Sequence, residues 1–111
     1  MLGVPVCEDI WTQGGTAALA DAGAQILLVP NGSPFEAGKE TVRLELAKAR
    51  VAETGLPLVY LNQLGGQDEI VYDGASFVLN ADGALAVALP GWREQVTVTE
   101  WRRDASGRWV C

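Results

Sequence analysis

The sequence contains no histidine, which removes Ser-His-Asp and Cys-His catalysis, His-ligated zinc and haem sites, and any histidine pH switch. Any catalysis must run on other groups. Basic residues are scarce too: eight Lys and Arg stand against fourteen Asp and Glu, a formal net charge of −6. The electrostatic footprint of a phosphate-backbone binder is missing, so nucleic acid is not expected as a partner. No apolar run approaches the roughly eighteen residues of a membrane span, and no membrane partner is expected. The two cysteines, Cys7 and Cys111, lie almost at opposite ends, without the density of a secreted disulfide scaffold. No basic n-region or small-residue cleavage site follows Met1, and a reduced, cytoplasmic protein is expected. Low-complexity segments and internal repeats are also absent.

What is present is a chain of one-domain length, 111 residues, with 49% apolar and 20% charged residues, which is ordinary globular usage. Charge is unevenly spread. Through Gly91 four basic residues face eleven acidic ones, whereas Trp92 to Cys111 hold four against three. The last twenty residues also carry three of the four tryptophans, Trp92, Trp101 and Trp109, which implies packing against something. Residues 1–91 and 92–111 are therefore expected to be two units.

Elements alternate in the first half. Leu2 to Val6 is an apolar run that predicts a buried strand ending at Cys7; Thr16 is placed to cap a short helix, Ala17 to Ala22, stopped by Gly23. Gln25 to Val29 predicts a second buried strand, broken by Pro30. The Gly/Ser/Pro loop Asn31–Gly38 leads into the strongest helix, about Lys39 to Glu53, which Gly55 and Pro57 end. Leu58 to Leu61 predicts a third strand. This βαβαβ order with continuous apolar strands argues for an α/β fold with a parallel or mixed sheet covered by helices.

At about 100° per residue, Val42, Leu46 and Ala49 share one side of the long helix, and Leu44, Ala47 and Val51 the other. Arg43 and Arg50 form an edge between them, which reads as a salt-bridged helix edge with Arg43 the nearer to any site. Such a helix is expected to lie between its sheet and a further layer or subunit. In the second half, Ala75–Leu79 and Ala84–Leu89 around Asn80-Ala81-Asp82-Gly83 predict a hairpin. Val96 to Thr99 alternates as a strand, and Asp104 to Gly107 before Arg108-Trp109-Val110 suggests another hairpin.

Cys7 directly follows an apolar strand and precedes Glu8-Asp9-Ile10-Trp11. A cysteine entering a turn there can present its sulfur beside a following backbone N–H, as a thiol nucleophile with an oxyanion hole requires. It can equally be a small buried hydrophobe. Ser33-Pro34 and Gly38 read as ligand-binding positions or as an ordinary turn and helix entry. Gly65-Gly66-Gln67-Asp68-Glu69 lacks a Walker pattern, and its two acids would repel phosphate. Asp68, Glu69 and Asp73 do not have the spacing of a calcium loop.

Three ordered blocks carry a family resemblance. Gly3-Val4-Pro5-Val6-Cys7-Glu8-Asp9-Ile10-Trp11 resembles the nucleophile segment of the nitrilase (carbon–nitrogen hydrolase) superfamily. Its Cys-Glu-Asp-Ile-Trp version is similar to the glutaminase domains of glutamine-dependent NAD synthetases. Asn31-Gly32-Ser33-Pro34-Phe35-Glu36-Ala37-Gly38-Lys39, with Arg43, resembles the substrate-binding loop and helix start of that family. Asn62 to Ser76 resembles its glycine-rich signature. The likeness spans about Gly3 to Pro90.

The resemblance implies the C-terminal half of an αββα sandwich and a Glu-Lys-Cys triad. In such a triad the carboxylate takes the thiol proton, the lysine stabilises the oxyanion, and cysteine forms a thioester with the acyl part of glutamine. By resemblance Cys7 is the nucleophile and the Glu8 backbone contributes to the oxyanion hole. Ser33 and Lys39 grip the α-amino and α-carboxylate groups of glutamine, and Phe35 and Arg43 complete the substrate-binding set.

The triad's Glu and Lys lie well upstream of the cysteine in this family, and six residues precede Cys7 here. The expectation is a fragment, inactive alone, whose parent is a homo-oligomer that feeds ammonia to an ATP-dependent synthetase domain for NAD synthesis. The missing N-terminal half and synthetase domain are its expected partners, and ATP and magnesium belong to the latter; this chain itself is expected to hold no cofactor or metal. Two alternatives stay open: an amidase acting on another amide, and a catalytically dead glutamine-binding or oligomer-forming module.

Overall fold

A computed structural model describes residues 1–111. The central sheet has five strands: β1 (Leu2–Gly3), β2 (Ile26–Asn31), β3 (Leu58–Asn62), β6 (Phe77–Leu79) and β7 (Leu85–Ala88), in that spatial order. The first three run parallel, and β6 and β7 extend the sheet antiparallel. Two helices, α1 (Gly15–Asp21) and α2 (Lys39–Thr54), make the crossovers. The expected α/β arrangement with a mixed sheet is thus present, and its core sits between the sheet and α2. Leu27 and Val29 of β2, Leu58 and Tyr60 of β3, Phe77 and Leu79 of β6, and Ala47 and Val51 of α2 form one buried cluster with Ile10. The period-2 alternation that sends these residues to one face leaves Leu2 and Leu61 half-exposed.

Strand β1 is shorter than expected. Only Leu2 and Gly3 pair with β2, while Val4 and Val6 are half-exposed, because Pro5 between them has no N–H to give a ladder. Strand β2, by contrast, runs through Pro30 instead of stopping at it. The Leu27 N–H and the Asn31 carbonyl both bond on the β3 side, to Pro57 and Gln63. The alternate residue Pro30 therefore turns its nitrogen to the other side, where β1 pairs only with Ile26 and Leu27.

Thr16 does not cap α1. The helix starts at Gly15 behind Gly14, and the buried Thr16 hydroxyl donates instead to Glu53 of α2 at 3.3 Å. Helix α2 ends as its sequence predicts, on Gly55 in the left-handed conformation at φ 66°, with its N–H returned to the Val51 carbonyl. Its buried side is Arg43, Ala47, Arg50 and Val51, while Val42 on the opposite side is half-exposed.

The glycine-rich stretch after β3 is a hairpin, β4 (Leu64–Gln67) against β5 (Ile70–Asp73). The hairpin expected around Asn80–Gly83 forms between β6 and β7. In the tail, β8 (Arg102–Arg103) and β9 (Trp109–Val110) pair around the Asp104–Gly107 turn, and the Arg103 guanidinium lies 4.9 Å above the Trp109 ring. Val96 to Thr99 is not a strand: it has no ladder partner, and Val96 and Val98 stand almost wholly in solvent. The chain end folds back, with the Cys111 N–H donating to Asn80 Oδ1 at 2.8 Å. No helix is long and apolar enough to cross a membrane.

Candidate active site

Beyond β1, after Val6, the chain enters a tight 3-10 turn, Cys7–Ile10. Cys7 adopts φ 51°, a left-handed conformation that costs a side-chain-bearing residue energy. The turn is held from both sides. The Val6 N–H donates to Asp9 Oδ2 at 2.8 Å, and the Asp9 N–H returns a bond to the Val6 carbonyl at 3.1 Å. Ile10 plugs the turn into the core with no exposed surface. As the first amides of a helical turn, those of Cys7 and Glu8 have no intrahelical acceptor.

Opposite this turn runs the loop after β2. Gly32 lies where a Cβ would come within 3.3 Å of Gln63 Oε1 and 3.7 Å of the Tyr72 ring, so the loop hugs the β4–β5 hairpin. Turn and loop enclose a cavity of about 430 Å³ lined by Cys7, Glu8, Trp11, Thr12, Asn31, Gly32, Ser33, Pro34 and Lys39. That size suits a small metabolite.

Four of the six site residues expected from sequence, Cys7, Glu8, Ser33 and Lys39, therefore meet in one lining. Lys39 opens α2, where a cation opposes the helix dipole, and its Nζ is ion-paired with Glu36. Phe35 and Arg43 lie outside the lining. Phe35 is half-exposed, its ring edge-on to Trp92 at 5.0 Å between centroids. Arg43 is buried behind the loop, at 1% exposure.

That arginine organises what the sequence reading passed over. Its Nη1 donates to both oxygens of Asp73, at 2.8 and 2.9 Å. Its Nε donates to Ser33 Oγ at 3.1 Å, and its Nη2 to the carbonyls of Ser33 and Pro34 at 2.9 and 3.0 Å. Asn62, at the end of β3, accepts from the Ser33 N–H at 2.9 Å. Asp73 and Asn62 are 4% and 5% exposed, and both escaped sequence reasoning as site residues. A signal existed: an arginine among apolar residues on a helix needs a buried counter-charge, and Asp73 lies in the third motif block.

Tyr60 was also missed, because β3 reads as a plain core strand. Burial raises the pKa of its phenol above the ordinary tyrosine value of 10.0, while Arg43 and the Ser33 hydroxyl pull it down and Cys7 and Asp73 push it up. Its ring is stacked on Phe77 at 4.8 Å between centroids.

A cysteine in a strained turn beyond β1 thus faces, across one cavity, a loop anchored by a buried ion pair. The chain belongs to the carbon–nitrogen hydrolase family, whose model matches residues 1–110. More narrowly, it is 57% identical over 105 residues to the glutamine-dependent NAD(+) synthetase of Rhodobacter capsulatus, covering 95% of this chain and 19% of that protein. The synthetase of Xanthomonas campestris pv. campestris is 42% identical over 100 residues, covering 90% and 18%.

Among solved structures, the glutamine-dependent NAD+ synthetase of Acinetobacter baumannii, in complex with ADP, superposes with a TM-score of 0.85 at 34% identity, over 97% of this chain and 20% of that one. A nitrilase-superfamily fold is shared as well by an amidase from Nesterenkonia sp. AN1. A variant of it, carrying the acetamide moiety of fluoroacetamide on its active site cysteine, superposes at TM-score 0.71 and 32% identity over 80% and 33% of the two chains. The chain spans about a fifth of the length of the curated relatives it matches.

Proposed function

We propose that residues 1–111 supply the nucleophile and the substrate-binding wall of a glutamine amidohydrolase that provides ammonia for ATP-dependent NAD synthesis. The observation that carries the reading is that Cys7, Glu8, Ser33 and Lys39, drawn from two separate motif blocks, line one cavity. In this reading a base removes the Cys7 thiol proton and Sγ attacks the carboxamide carbon of glutamine. The C–N bond breaks, the nitrogen takes up the proton and leaves as ammonia, and a thioester remains. Water then hydrolyses the thioester, giving glutamate and restoring the thiol.

The Glu8 amide, free of any intrahelical acceptor, is suited to hold the oxyanion. Lys39 offers a cation to the α-carboxylate of glutamine once it exchanges Glu36 for the substrate. Ser33 meets the α-amino end, and Phe35, in the same loop, packs against Trp92. The base and the oxyanion lysine of the triad come from chain outside residues 1–111, as do the synthetase domain and its ATP and magnesium. We place the parent protein in the cytoplasm, as a homo-oligomer.

Ammonia release from glutamine by the whole polypeptide tests this directly: it should vanish in Cys7→Ala. The 111-residue segment alone should release none, and Cys7-dependent turnover by the segment would overturn the division of the triad. The likeness to the Nesterenkonia amidase supports a second reading, hydrolysis of simple amides. Turnover of acetamide in preference to glutamine would favour it.

A further inference from the structure

We propose that Arg43 and Asp73 are positioning residues that set glutamine affinity by fixing the Ser33 hydroxyl at the cavity wall, without either touching the substrate. The inference deepens the glutamine reading and rests on it. All of the guanidinium is committed inside the protein: Nε to Ser33 Oγ, Nη1 to Asp73, and Nη2 to the Ser33 and Pro34 carbonyls. Arg43 is buried and absent from the cavity lining, so it has no donor left to offer a ligand.

Ser33 is fastened at every other polar atom. Its N–H donates to Asn62 Oδ1 at 2.9 Å, its carbonyl accepts from Arg43 Nη2, and Oγ accepts from Arg43 Nε. What remains is the hydroxyl proton and one lone pair, beside the Tyr60 phenol, with which the hydroxyl also bonds. Ser33 lines the cavity, so that remainder is the only part of Ser33 with a recognition role to play. A buried ion pair is a poor way to stabilise a core, since apolar side chains of similar volume do as well. A bidentate fork is a good way to fix the direction of a hydroxyl. Asp73 holds the fork, and the fork holds the loop.

The test uses the whole polypeptide with Arg43→Gln, Asp73→Asn and Ser33→Ala, singly and combined. Each is measured for glutamine KM, for kcat, and for the rate at which iodoacetamide alkylates Cys7, which needs no substrate site. Arg43→Gln and Asp73→Asn should raise KM about tenfold, the loss of a charge-assisted contact. Both kcat and the alkylation rate should stay within about threefold, as expected where ground-state and transition-state binding fall together. Combined with Ser33→Ala, neither should raise KM beyond Ser33→Ala alone.

Additive KM losses in the double variants would overturn the proposal by showing that Arg43 acts on substrate independently. Parallel collapse of KM, kcat and alkylation would overturn it by showing a merely structural role. If Arg43→Gln fails to fold, the near-isosteric Asp73→Asn carries the comparison. Absence of Cys7-dependent ammonia release from the unsubstituted polypeptide overturns the glutamine reading itself, before any variant is compared.

Discussion

Arg50 and Glu53, one turn apart on α2, pair at 2.9 Å; Arg50 also reaches the end of the Cys7–Ile10 turn, and Glu53 the segment that follows it. Arg50 Nη1 donates to the Ile10 carbonyl at 3.4 Å, while the Glu53 carboxylate accepts from the Gly14 N–H at 3.1 Å and from the Thr16 hydroxyl at 3.3 Å. Two turns earlier, Arg43 fastens the opposite loop. One helix therefore holds both walls of the cavity.

Replacing Glu53 with alanine leaves the buried Arg50 guanidinium and the Thr16 hydroxyl without their partner. We expect a loss of about 2–4 kcal/mol, in the range for breaking one side of a buried charged network. Urea unfolding checks it: the midpoint should fall with the slope unchanged. Glu53→Gln, which keeps an acceptor for Gly14 and Thr16, should lose less.

Cys7 at φ 51° sets function against stability. Cys7→Gly should abolish the proposed ammonia release while raising stability by about 0.5–1 kcal/mol, because glycine adopts the left-handed region without penalty. Cys7→Ala keeps the strain and should leave stability nearly unchanged. Paired denaturation curves of the two variants read the difference.

Tyr60 gives the fold an alkaline limit. Its phenol keeps its proton above 10.0, the pKa of the unfolded side chain, chiefly because of burial. In that range the unfolded state binds fewer protons than the native one, so stability is full below pH 10.0 and falls as pH rises through the folded pKa. Phenolate absorbance followed alongside unfolding should show this loss, and Tyr60→Phe should not share it.

The last residue of the tail is tied to the β6–β7 turn through one side chain. Asn80→Ala removes both bonds to Cys111, at 2.8 and 3.4 Å, and should cost about 1 kcal/mol locally. Faster amide exchange at Cys111 and in β8 and β9, with the five-stranded sheet unaffected, is the expected result.

Periodicity and punctuation made most of the fold legible. The three parallel strands, α2 with its Gly55 stop and the Asn80–Gly83 hairpin follow from local signals that tertiary structure reinforces. Local signals failed where the partner decides. Thr16 is a good cap in isolation, yet the Glu53 carboxylate across the interface takes its hydroxyl. Val96 to Thr99 alternates well, yet a strand without a neighbour has no ladder. Pro30 reads as a stop, yet only a strand's pairing shows which way its nitrogen points.

The cavity was half legible for the same reason. Cys7, Glu8, Ser33 and Lys39 stand in motifs, and the structure puts them in one lining. Asn62, Tyr60 and the Arg43–Asp73 pair act across separations of ten to thirty residues, which no spacing rule reaches.

Pro30 has one more effect. Beyond Leu27, β2 meets no residue of β1, and a bare strand margin invites pairing with a stray chain. A pyrrolidine ring there offers no N–H to such a visitor and crowds its approach. The residue that best looked like the end of a strand is thus placed to discourage misassembly, next to the loop that lines the cavity.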